Sequence, residues 1–358
     1  MCIRDRASAH LLAALPFALT SAQEQAIAEI RADLVSGEQM GRLLQGDVGS
    51  GKTAVAAVAL ADAASSGFQA ALMAPTEILA RQHHEKLSPM LEQAGVSSLL
   101  LTGRDTTAER RVKLAALASG EAQVAIGTHA LFQDAVQFNR LALAVIDEQH
   151  RFGVRERQRL QAKGDPALGG VHLLTMSATP IPRTLELTQY GELEVSRLME
   201  KPPGRTPVTT AVLPLARIGE VAKRLKAAVE AGAQAYWICP LVAESEAIDL
   251  AAAEDRANDL RKYLGTEVGL AHGQMPGAER EAVMAEFAAG RLPVLVATTV
   301  VEVGVDVPNA SIMVIEHADR FGLAQLHQLR GRVGRGAKAS SCIPVSYTHL
   351  TLPTICSV

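Results

Sequence analysis

The sequence predicts an α/β protein made of two tandem lobes, each built on a parallel β-sheet. Three observations predict this fold. Apolar strand-like segments alternate with helix-like segments in both halves of the chain, a glycine-rich loop joins an early strand to the helix after it, and a proline- and glycine-rich break covers residues 200–207. Near-continuous apolar strands are typical of parallel sheets that helices cover on both faces.

The composition is typical of a soluble globular protein large enough for two domains. Of its 358 residues, 48% are hydrophobic and 20% are charged, and no apolar run reaches the roughly 18 residues that a membrane span needs. The apolar stretch Leu11–Leu15 is interrupted by Pro16, so we expect a cytoplasmic protein without a membrane partner. The four cysteines form no C-x-x-C pair, which argues against a zinc site and a disulfide framework.

The formal net charge of −3 does not indicate a nucleic-acid binder, but two local segments are strongly basic. Residues 151–163 contain five basic side chains and one acid, and residues 320–338 contain five basic side chains and no acid. Each segment is either a solvated helix face or a nucleic-acid contact.

Residues Gly46–Thr53 fit the pattern G-x-x-x-x-G-K-[ST] of a phosphate-binding loop. In this pattern the glycines let backbone N–H groups surround the phosphates of a nucleotide, Lys52 reaches the β- and γ-phosphates, and Thr53 holds Mg²⁺. A strand predicted over 41–45 leads into the loop and a helix predicted over 53–64 leads out, so the helix N-terminus adds positive potential. The sequence therefore predicts a nucleotide site.

A helix is predicted from Glu24 to Leu34, upstream of this loop. Thr20 or Ser21 is expected to cap it, with Glu24 completing a capping box. The amide of Gln23 can donate one hydrogen bond and accept another. Beside a nucleotide site, Gln23 is therefore expected to contact adenine rather than to be an ordinary surface residue.

The first lobe continues with strands and helices in alternation. Because ligands bind at the carboxyl ends of parallel strands, polar residues that follow these strands are candidate site residues. Strands are predicted over 69–74, 97–101, 123–126, 141–146 and 171–176, and helices over 76–94 and 108–119.

An acidic pair, Asp147 and Glu148, follows the apolar strand 141–146. Near a phosphate loop, Asp147 is expected to hold Mg²⁺ through water, and Glu148 to accept the proton of the attacking water. The alternative is a pair of strand-end carboxylates that face solvent. Ser177 and Thr179 follow the next strand, where their hydroxyls are expected to cap a helix and also to sense the γ-phosphate.

The second lobe repeats the alternation without a second phosphate loop. Arg332 and Arg335 lie near its end, three residues apart, so on a helix both guanidinium groups can face one direction. Such a pair can stabilise a phosphoryl-transfer transition state or bind DNA phosphates. The predicted strands are 208–213, 234–239, 268–270, 294–297 and 311–315, and the predicted helices are 218–231, 252–264 and 278–289.

We expect the first lobe to cover residues 7–200 and the second residues 208–344, joined by a linker at 201–207. Residues 1–6 and 345–358 resemble translated adapter sequence, so they are expected to be artefactual tails outside the fold.

The motifs together resemble those of superfamily 2 helicases from residue 15 to residue 342. Within that superfamily the sequence looks most similar to the RecG family of bacterial ATP-dependent DNA helicases. The motor of the transcription-repair coupling factor is the nearest alternative, but that family usually has a second glutamate where Gln149 stands. The resemblance implies two RecA-like lobes of a P-loop NTPase helicase. The stretches that carry it are 46–53, 74–80, 127–131, 147–154, 177–184, 201–205, 239–241, 294–310 and 321–335.

The resemblance also implies a role for each matching residue, with ATP and Mg²⁺ as cofactors. The residues that would bind ATP are Gln23, Gly49, Ser50, Gly51, Lys52, Thr53, Gly304, Asp306 and Gln328. The residues that would be catalytic are Lys52, Asp147, Glu148, Arg332 and Arg335, with Thr53 and Asp147 holding the metal. Those that would couple hydrolysis to movement are His150, Ser177 and Thr179. Those that would line a DNA track are Thr76, Arg81, Thr102, Thr128, His272 and Thr298.

The expected function is that of a monomeric motor, an ATP-dependent DNA helicase and double-strand translocase. It would act on branched duplexes such as forks and Holliday junctions, in recombination and repair. RecG proteins also carry an N-terminal wedge and a C-terminal segment, and neither is expected in this chain. A small-molecule kinase would share only the phosphate loop, whereas an ATP-gated DNA clamp that does not hydrolyse ATP remains an alternative.

Overall fold

Two parallel β-sheets, one in each half of the chain, form the framework of the protein and confirm the predicted α/β fold. The chain divides into two units, Met1–Pro202 and Pro203–Val358. The structure is a computed structural model that describes residues 10–13, 15, 17–147, 163–164, 170–178, 193–200, 207–240, 246–298, 307, 309–334, 336 and 339–347.

Among its described residues, the first unit contains seven strands and four complete α-helices, besides a short helical stretch at 10–13. The strands are β1 (Gly41–Gly46), β2 (Gln69–Met73), β3 (Ser98–Leu101), β4 (Val124–Gly127), β5 (Leu141–Asp147), β6 (His172–Ser177) and β7 (Glu194–Leu198). The helices are α1 (Ser21–Val35), α2 (Lys52–Ser65), α3 (Glu77–Gln93) and α4 (Thr107–Ser119), with a 3₁₀ turn at His129–Phe132. The strands pair in the parallel order β3-β4-β2-β5-β6-β1-β7.

Strand β6 lies between β1 and β5, and its register aligns three functional segments. Gln45, near the end of β1, pairs with Ser177, and Asp147 at the end of β5 pairs with Met176. The start of the phosphate loop, Ser177 and Asp147 therefore lie at one edge of the sheet, where the carboxyl ends of parallel strands meet.

Helix α2, which follows the phosphate loop, is buried along nearly its whole length. Its residues from Ala54 to Ala64 are all buried, and small alanine side chains let the helix pack closely on the sheet. Its single acid, Asp62, is buried and accepts a hydrogen bond from Arg31 at 2.8 Å. The loop is thus supported by a helix that the core holds in place.

Strand β1 carries a buried arginine that is surrounded by acids. The Arg42 guanidinium donates to Asp33 at 2.6 Å and to Glu29 at 3.2 Å, and it also pairs with Glu194. Burial opposes the charge, but the hydrogen bond and charge of Asp33, with the charges of Glu194 and Glu29, raise the pKa of Arg42. This network joins both α1 and β7 to β1.

The second unit contains its own set of strands and helices. The strands are β8 (Val208–Thr210), β9 (Leu213–Pro214), β10 (Gln234–Ile238), β11 (Val268–Ala271), β12 (Val294–Ala297), β13 (Ala310–Ile315) and β14 (Ser340–Ser346). The helices are α5 (Ile218–Glu230), α6 (Glu246–Leu264), α7 (Gly277–Ala288) and α8 (Leu323–Arg330), with 3₁₀ turns at Leu215–Arg217 and Ala318–Arg320. The strand order is β11-β12-β10-β13-β14-β8, and β9 also pairs with β14.

The core of the second unit contains a buried tryptophan and a buried acid. Trp237 Nε1 donates to Glu316 at 2.5 Å, and the Arg256 guanidinium, which pairs with Glu316, lies 5.8 Å from the centre of the indole ring. Two partners therefore offset the cost of burying the carboxylate. Burial, together with the charge of Glu316, raises the pKa of Cys239, and burial raises the pKa of Cys342 to about 12. Both cysteines are buried free thiols.

Several predicted elements of the second unit were wrong. The strand expected over 208–213 is divided into β8 and β9, which pair with β14 on either side of Pro344, a residue without an N–H to donate. Helix α6 begins at Glu246, earlier than expected. The segment 311–315 is not the last strand, because β14 follows it, and β14 includes Val345 and Ser346, which were expected to lie outside the fold. In the first unit, β7 was not predicted.

None of the helices within the described ranges combines the length and the apolar character needed to cross a membrane.

Replacing Arg42 by alanine is expected to lower the free energy of unfolding by about 3 kcal/mol, because three carboxylates then lose their shared cation. Urea denaturation followed by circular dichroism measures this loss. Arg104→Ala removes an exposed guanidinium 3.5 Å from Glu77, and it should change stability by no more than about 0.5 kcal/mol. Equal effects of the two substitutions would contradict the structural importance of the Arg42 network.

Buried His172 is expected to make the first unit less stable in mild acid. Its Nδ1 accepts a hydrogen bond from Met40 N at 3.0 Å, and burial lowers the pKa of the imidazole below 6.5. As pH falls below 6.5, the unfolded chain binds a proton that the folded chain rejects, so stability is present above pH 6.5 and is lost as pH falls towards the folded-state pKa. In His172→Asn, which keeps an acceptor for Met40, the decrease in unfolding free energy between about pH 7 and pH 5 should be smaller. An unchanged decrease would exclude His172 as its source.

Candidate functional site

The phosphate loop connects β1 to α2, and its conformation requires glycine. Gly49 and Gly51 have φ angles of 79° and 87°, in the left-handed region that other residues rarely adopt. Gly51 is also the N-cap of α2, and because it has no side chain, it leaves the first N–H groups of the helix for an anion. The loop therefore presents backbone donors where a phosphate group would bind.

Lys52 lies folded over this loop. Its Nζ donates to the carbonyl oxygens of Gly46 and Asp47, the latter at 2.9 Å. The ammonium group thus lies against the loop that would surround the phosphates. A bound nucleotide would offer phosphate oxygens in place of these carbonyl groups.

A buried hydroxyl indicates that the loop suits a ligand. Ser50 Oγ is buried without a hydrogen-bond partner among the described residues. A Cβ at Gly46 would lie 2.5 Å from this oxygen and 2.9 Å from Leu198 Cβ, so a larger residue there would displace its neighbours. The Ser50 hydroxyl, the backbone N–H groups and Lys52 together form a donor set that fits a nucleoside triphosphate.

Gln23 supports the loop through both ends of its amide. It is 1% exposed, its Nε2 donates to Ser50 O at 2.8 Å, and its Oε1 accepts from Thr20 N at 2.9 Å. Thr20 and Gln23 form the capping box of α1, so the expected role of Glu24 was wrong. Ser21, the other predicted cap, instead donates to Glu200 at 2.6 Å. An adenine contact by Gln23 stays a prediction.

Asp147 is held by a histidine that the sequence analysis missed. His83 on α3 lies 2.8 Å from Asp147, measured from Nε2 to Oδ2, and both side chains are largely buried. No motif marks His83, and its only signal is its place on the buried face of a helix.

Within the described ranges, no cluster of three or more His, Cys, Asp or Glu residues could hold a metal. Mg²⁺ commonly needs only one or two carboxylates plus phosphates, so Asp147 with the Thr53 hydroxyl fits it.

Ser177 ends β6 and is buried beside the phosphate-loop strand, in register with Gln45. Its predicted neighbours in function, Glu148, His150 and Thr179, lie outside the described residues.

Three of the predicted DNA-contacting threonines lie at the carboxyl ends of neighbouring strands. Thr102 follows β3, Thr128 follows β4, and Thr76 follows β2 by a short turn, in the spatial order of these strands. Each also has a local structural role. Thr76 caps α3 through Leu79 N at 3.4 Å, whereas Thr102 and Thr128 accept from backbone N–H groups of the turns that they begin. The fold therefore brings these three residues to one edge.

Arg81 differs from the threonines because it is exposed on the first turns of α3. Its Nη2 donates to Glu77 at 2.8 Å, an i,i+4 ion pair on the helix surface.

In the second unit, His272 and Thr298 follow the paired strands β11 and β12. Thr298 N donates to Ala271 O at 3.2 Å, which places the two residues side by side. Thr298 Oγ1 and His272 Nδ1 are buried atoms for which the described chain supplies no hydrogen-bond partner. Such atoms at the carboxyl edge of a sheet are suited to an external ligand.

The arginine motif does not continue the helix as expected. Helix α8 contains buried Gln328 and ends at Arg330, so Arg332 lies in the turn after it. Arg332 therefore does not lie on a helix, and the prediction that one helical turn aligns it with Arg335 was wrong. Arg332 is nevertheless buried. Arg335, Gly304 and Asp306 lie outside the described residues.

Two family models match the chain and divide it near the boundary of the two units. The DEAD/DEAH box helicase model matches residues 20–188, and the Helicase conserved C-terminal domain model matches residues 220–337.

Curated relatives match almost the whole chain. The ATP-dependent DNA helicase RecG of Acidithiobacillus ferridurans is 54% identical over 353 residues, which cover 98% of this chain and 51% of that protein. The same-named protein of Escherichia coli (strain K12) is 52% identical over 343 residues, covering 95% of this chain and 50% of the relative. The chain thus spans about half the length of these relatives.

Solved structures are also similar to this chain. A structure of RecG bound to a three-way DNA junction superposes with a TM-score of 0.83 at 44% identity, covering 96% of this chain and 45% of that one. Saccharomyces cerevisiae Dbp5 bound to RNA and ADP BeF3 has a TM-score of 0.69 at 18% identity, which supports the helicase fold alone. Over nearly its whole length, the chain is therefore similar to about half of a RecG helicase.

Proposed function

We propose that this chain is the motor of an ATP-dependent DNA helicase, a DNA-stimulated ATPase that translocates on double-stranded DNA. Its role would be branch migration and the remodelling of stalled forks in recombination and repair. One observation carries the proposal. In a chain 54% identical to a RecG helicase, the pairing of β6 with β1 and β5 brings the phosphate loop and Asp147 to the same sheet edge.

The phosphate loop would bind ATP through its backbone. The N–H groups of the loop and of the first turn of α2 would surround the phosphates, and Lys52 would leave the carbonyl groups of Gly46 and Asp47 to bind the β- and γ-phosphates. Mg²⁺, when bound, supplies positive charge that neutralises the phosphate oxygens. Thr53 and Asp147 are the residues proposed to hold it.

Glu148 is proposed to accept the proton of the attacking water, because it directly follows Asp147 at the strand end. The family resemblance makes Arg332 and Arg335 candidates for stabilising the charge of the transition state, and Gln328, Gly304 and Asp306 candidates for contacting the nucleotide. Ser177, on the strand that pairs with β1, is proposed with His150 and Thr179 to transmit hydrolysis into movement.

DNA is proposed to contact two strand-end rows, one in each unit. The first contains Thr76, Thr102 and Thr128, with Arg81 on the adjoining helix, and the second contains His272 and Thr298. Hydroxyl and imidazole donors contact phosphate oxygens without reading base sequence, which suits a motor that moves along the backbone. Aromatic residues make up only 3% of the chain, so there are few candidates for stacking on bases. We propose that the motor acts as a monomer in the cytoplasm.

Substitution of Lys52 by alanine is expected to reduce kcat for ATP hydrolysis by about 10²-fold or more, because a positioned donor to the phosphates is lost. Glu148→Gln should reduce kcat by about 10²- to 10⁴-fold while ATP still binds. The measurement is phosphate release at low salt, with and without forked DNA. Lys223→Ala, which changes an exposed lysine of the second unit, is the matched control and should hydrolyse ATP like the unmodified protein. Binding of ATP and DNA without DNA-stimulated hydrolysis in the unmodified protein would contradict the proposal and indicate an ATP-gated clamp.

Thr298→Val is expected to weaken binding of forked DNA about tenfold, because the variant keeps the volume of the buried side chain and removes its hydroxyl donor. Filter binding at a fixed salt concentration measures this change. Thr209→Val alters an exposed threonine on β8 and should bind DNA normally. If both variants bind equally well, the row containing Thr298 is not a DNA contact.

A further inference from the structure

We propose that His83 is a positioning residue for Asp147, and that it connects this metal-holding carboxylate to α3, the helix that carries the predicted DNA contacts Thr76 and Arg81. The inference rests on the proposed function, since it concerns how the same site responds to DNA.

The contact is short, buried and directional. His83 Nε2 lies 2.8 Å from Asp147 Oδ2, and the two side chains are only 10% and 15% exposed. A carboxylate can only accept, so the imidazole must carry its hydrogen on Nε2 and donate it. The bond therefore fixes both the tautomer of His83 and the orientation of the Asp147 carboxylate.

The backbone alone does not fix this orientation. The sheet holds Asp147 through the pairing of β5 with β6, but its carboxylate can still rotate about the side-chain torsions. A hydrogen bond from a neighbouring side chain holds a metal-binding carboxylate in place. The loss of such a bond commonly lowers metal affinity or activity by 10- to 100-fold. His83 is the described residue whose hydrogen bond to this carboxylate restrains it from α3.

Helix α3 can transmit a displacement to this bond as a single body. Thr76 caps its N-terminus, Glu77 pairs with Arg81 on the exposed face, and Leu79, Leu87 and other residues bury the opposite face. His83 lies about two turns, or about 10 Å, beyond Thr76. A DNA strand that binds at Thr76 and Arg81 would therefore shift or hold the same helix that orients Asp147.

The alternative role for His83 is that of an ordinary buried histidine that only stabilises the fold. In that case its replacement would lower stability and leave the Mg²⁺ requirement unchanged. The two readings therefore differ in how the protein responds to metal, which can be measured with and without catalysis.

The test compares His83→Ala, His83→Gln and His84→Ala. Glutamine restores a donor at about the position of Nε2, whereas alanine removes it. His84 is the matched control, because it is the next residue on the same helix and its charged neighbours are Lys113, Glu85, Glu92 and Arg81. For each variant we would measure the unfolding midpoint, the Mg²⁺ dependence of ADP binding by calorimetry, and kcat and KM for ATP with and without forked DNA.

For His83→Ala we expect at least a tenfold rise in the Mg²⁺ concentration needed for half-maximal ADP binding, together with a fall in DNA-stimulated kcat and a smaller change in KM for ATP. His83→Gln should recover most of both losses, and His84→Ala should behave like the unmodified protein.

Three results would overturn the proposal. The first is an unchanged Mg²⁺ dependence of ADP binding in His83→Ala. The second is a loss of Mg²⁺-dependent binding and kcat that parallels the fall in the unfolding midpoint and that His83→Gln does not reverse. The third is an equal loss of binding and kcat in His84→Ala. If the unmodified protein binds Mg²⁺ and ADP without hydrolysing ATP, the proposed function fails, and the binding comparison alone decides the role of His83.

Discussion

The parallel hydrogen-bond ladder that holds β6 between β1 and β5 is the constraint on which the site depends. It aligns Gln45 with Ser177 and Met176 with Asp147, so residues that are far apart in sequence meet at one edge. Because the side chains of a strand alternate between faces, a slip of one residue in either ladder would turn Asp147 or Ser177 to the opposite face. The site therefore depends on the strand register as much as on the identity of its residues.

The strand ladder brings the site residues to one edge of the sheet, and buried polar contacts then hold their side chains in place. Gln23 joins the cap of α1 to the phosphate loop, and a Cβ at Gly51 would meet its Nε2 at 2.0 Å, so the amide and the glycine fit only together. At the end of β5, His83 restrains Asp147. The first bond connects a helix to the phosphate loop, and the second connects a helix to a strand end. Because the protein interior is closely packed, movement of either helix changes the site directly.

Much of the fold follows from the sequence because its strands are short apolar runs with glycine-rich breaks, and because the phosphate loop has a fixed pattern. The elements and contacts that were not predicted have local physical causes. β7 carries exposed and buried residues in irregular alternation, and β14 contains Pro344, so neither resembles a continuous apolar strand. A single sequence cannot show that His83 faces Asp147, 64 residues away, since only the packing of α3 on the sheet brings them together. Arg332 was misplaced because three-residue spacing indicates one face only where the helix continues.

The bond between Trp237 and Glu316 has a spectroscopic consequence. The chain contains a single tryptophan, and it lies buried in the second unit with its indole N–H on a carboxylate and a guanidinium near its ring. Intrinsic emission excited selectively through indole therefore reports on the second unit alone, while the far-ultraviolet signal averages both. The protein thus carries its own optical label, with which the unfolding of one lobe can be distinguished from that of the other without any added dye.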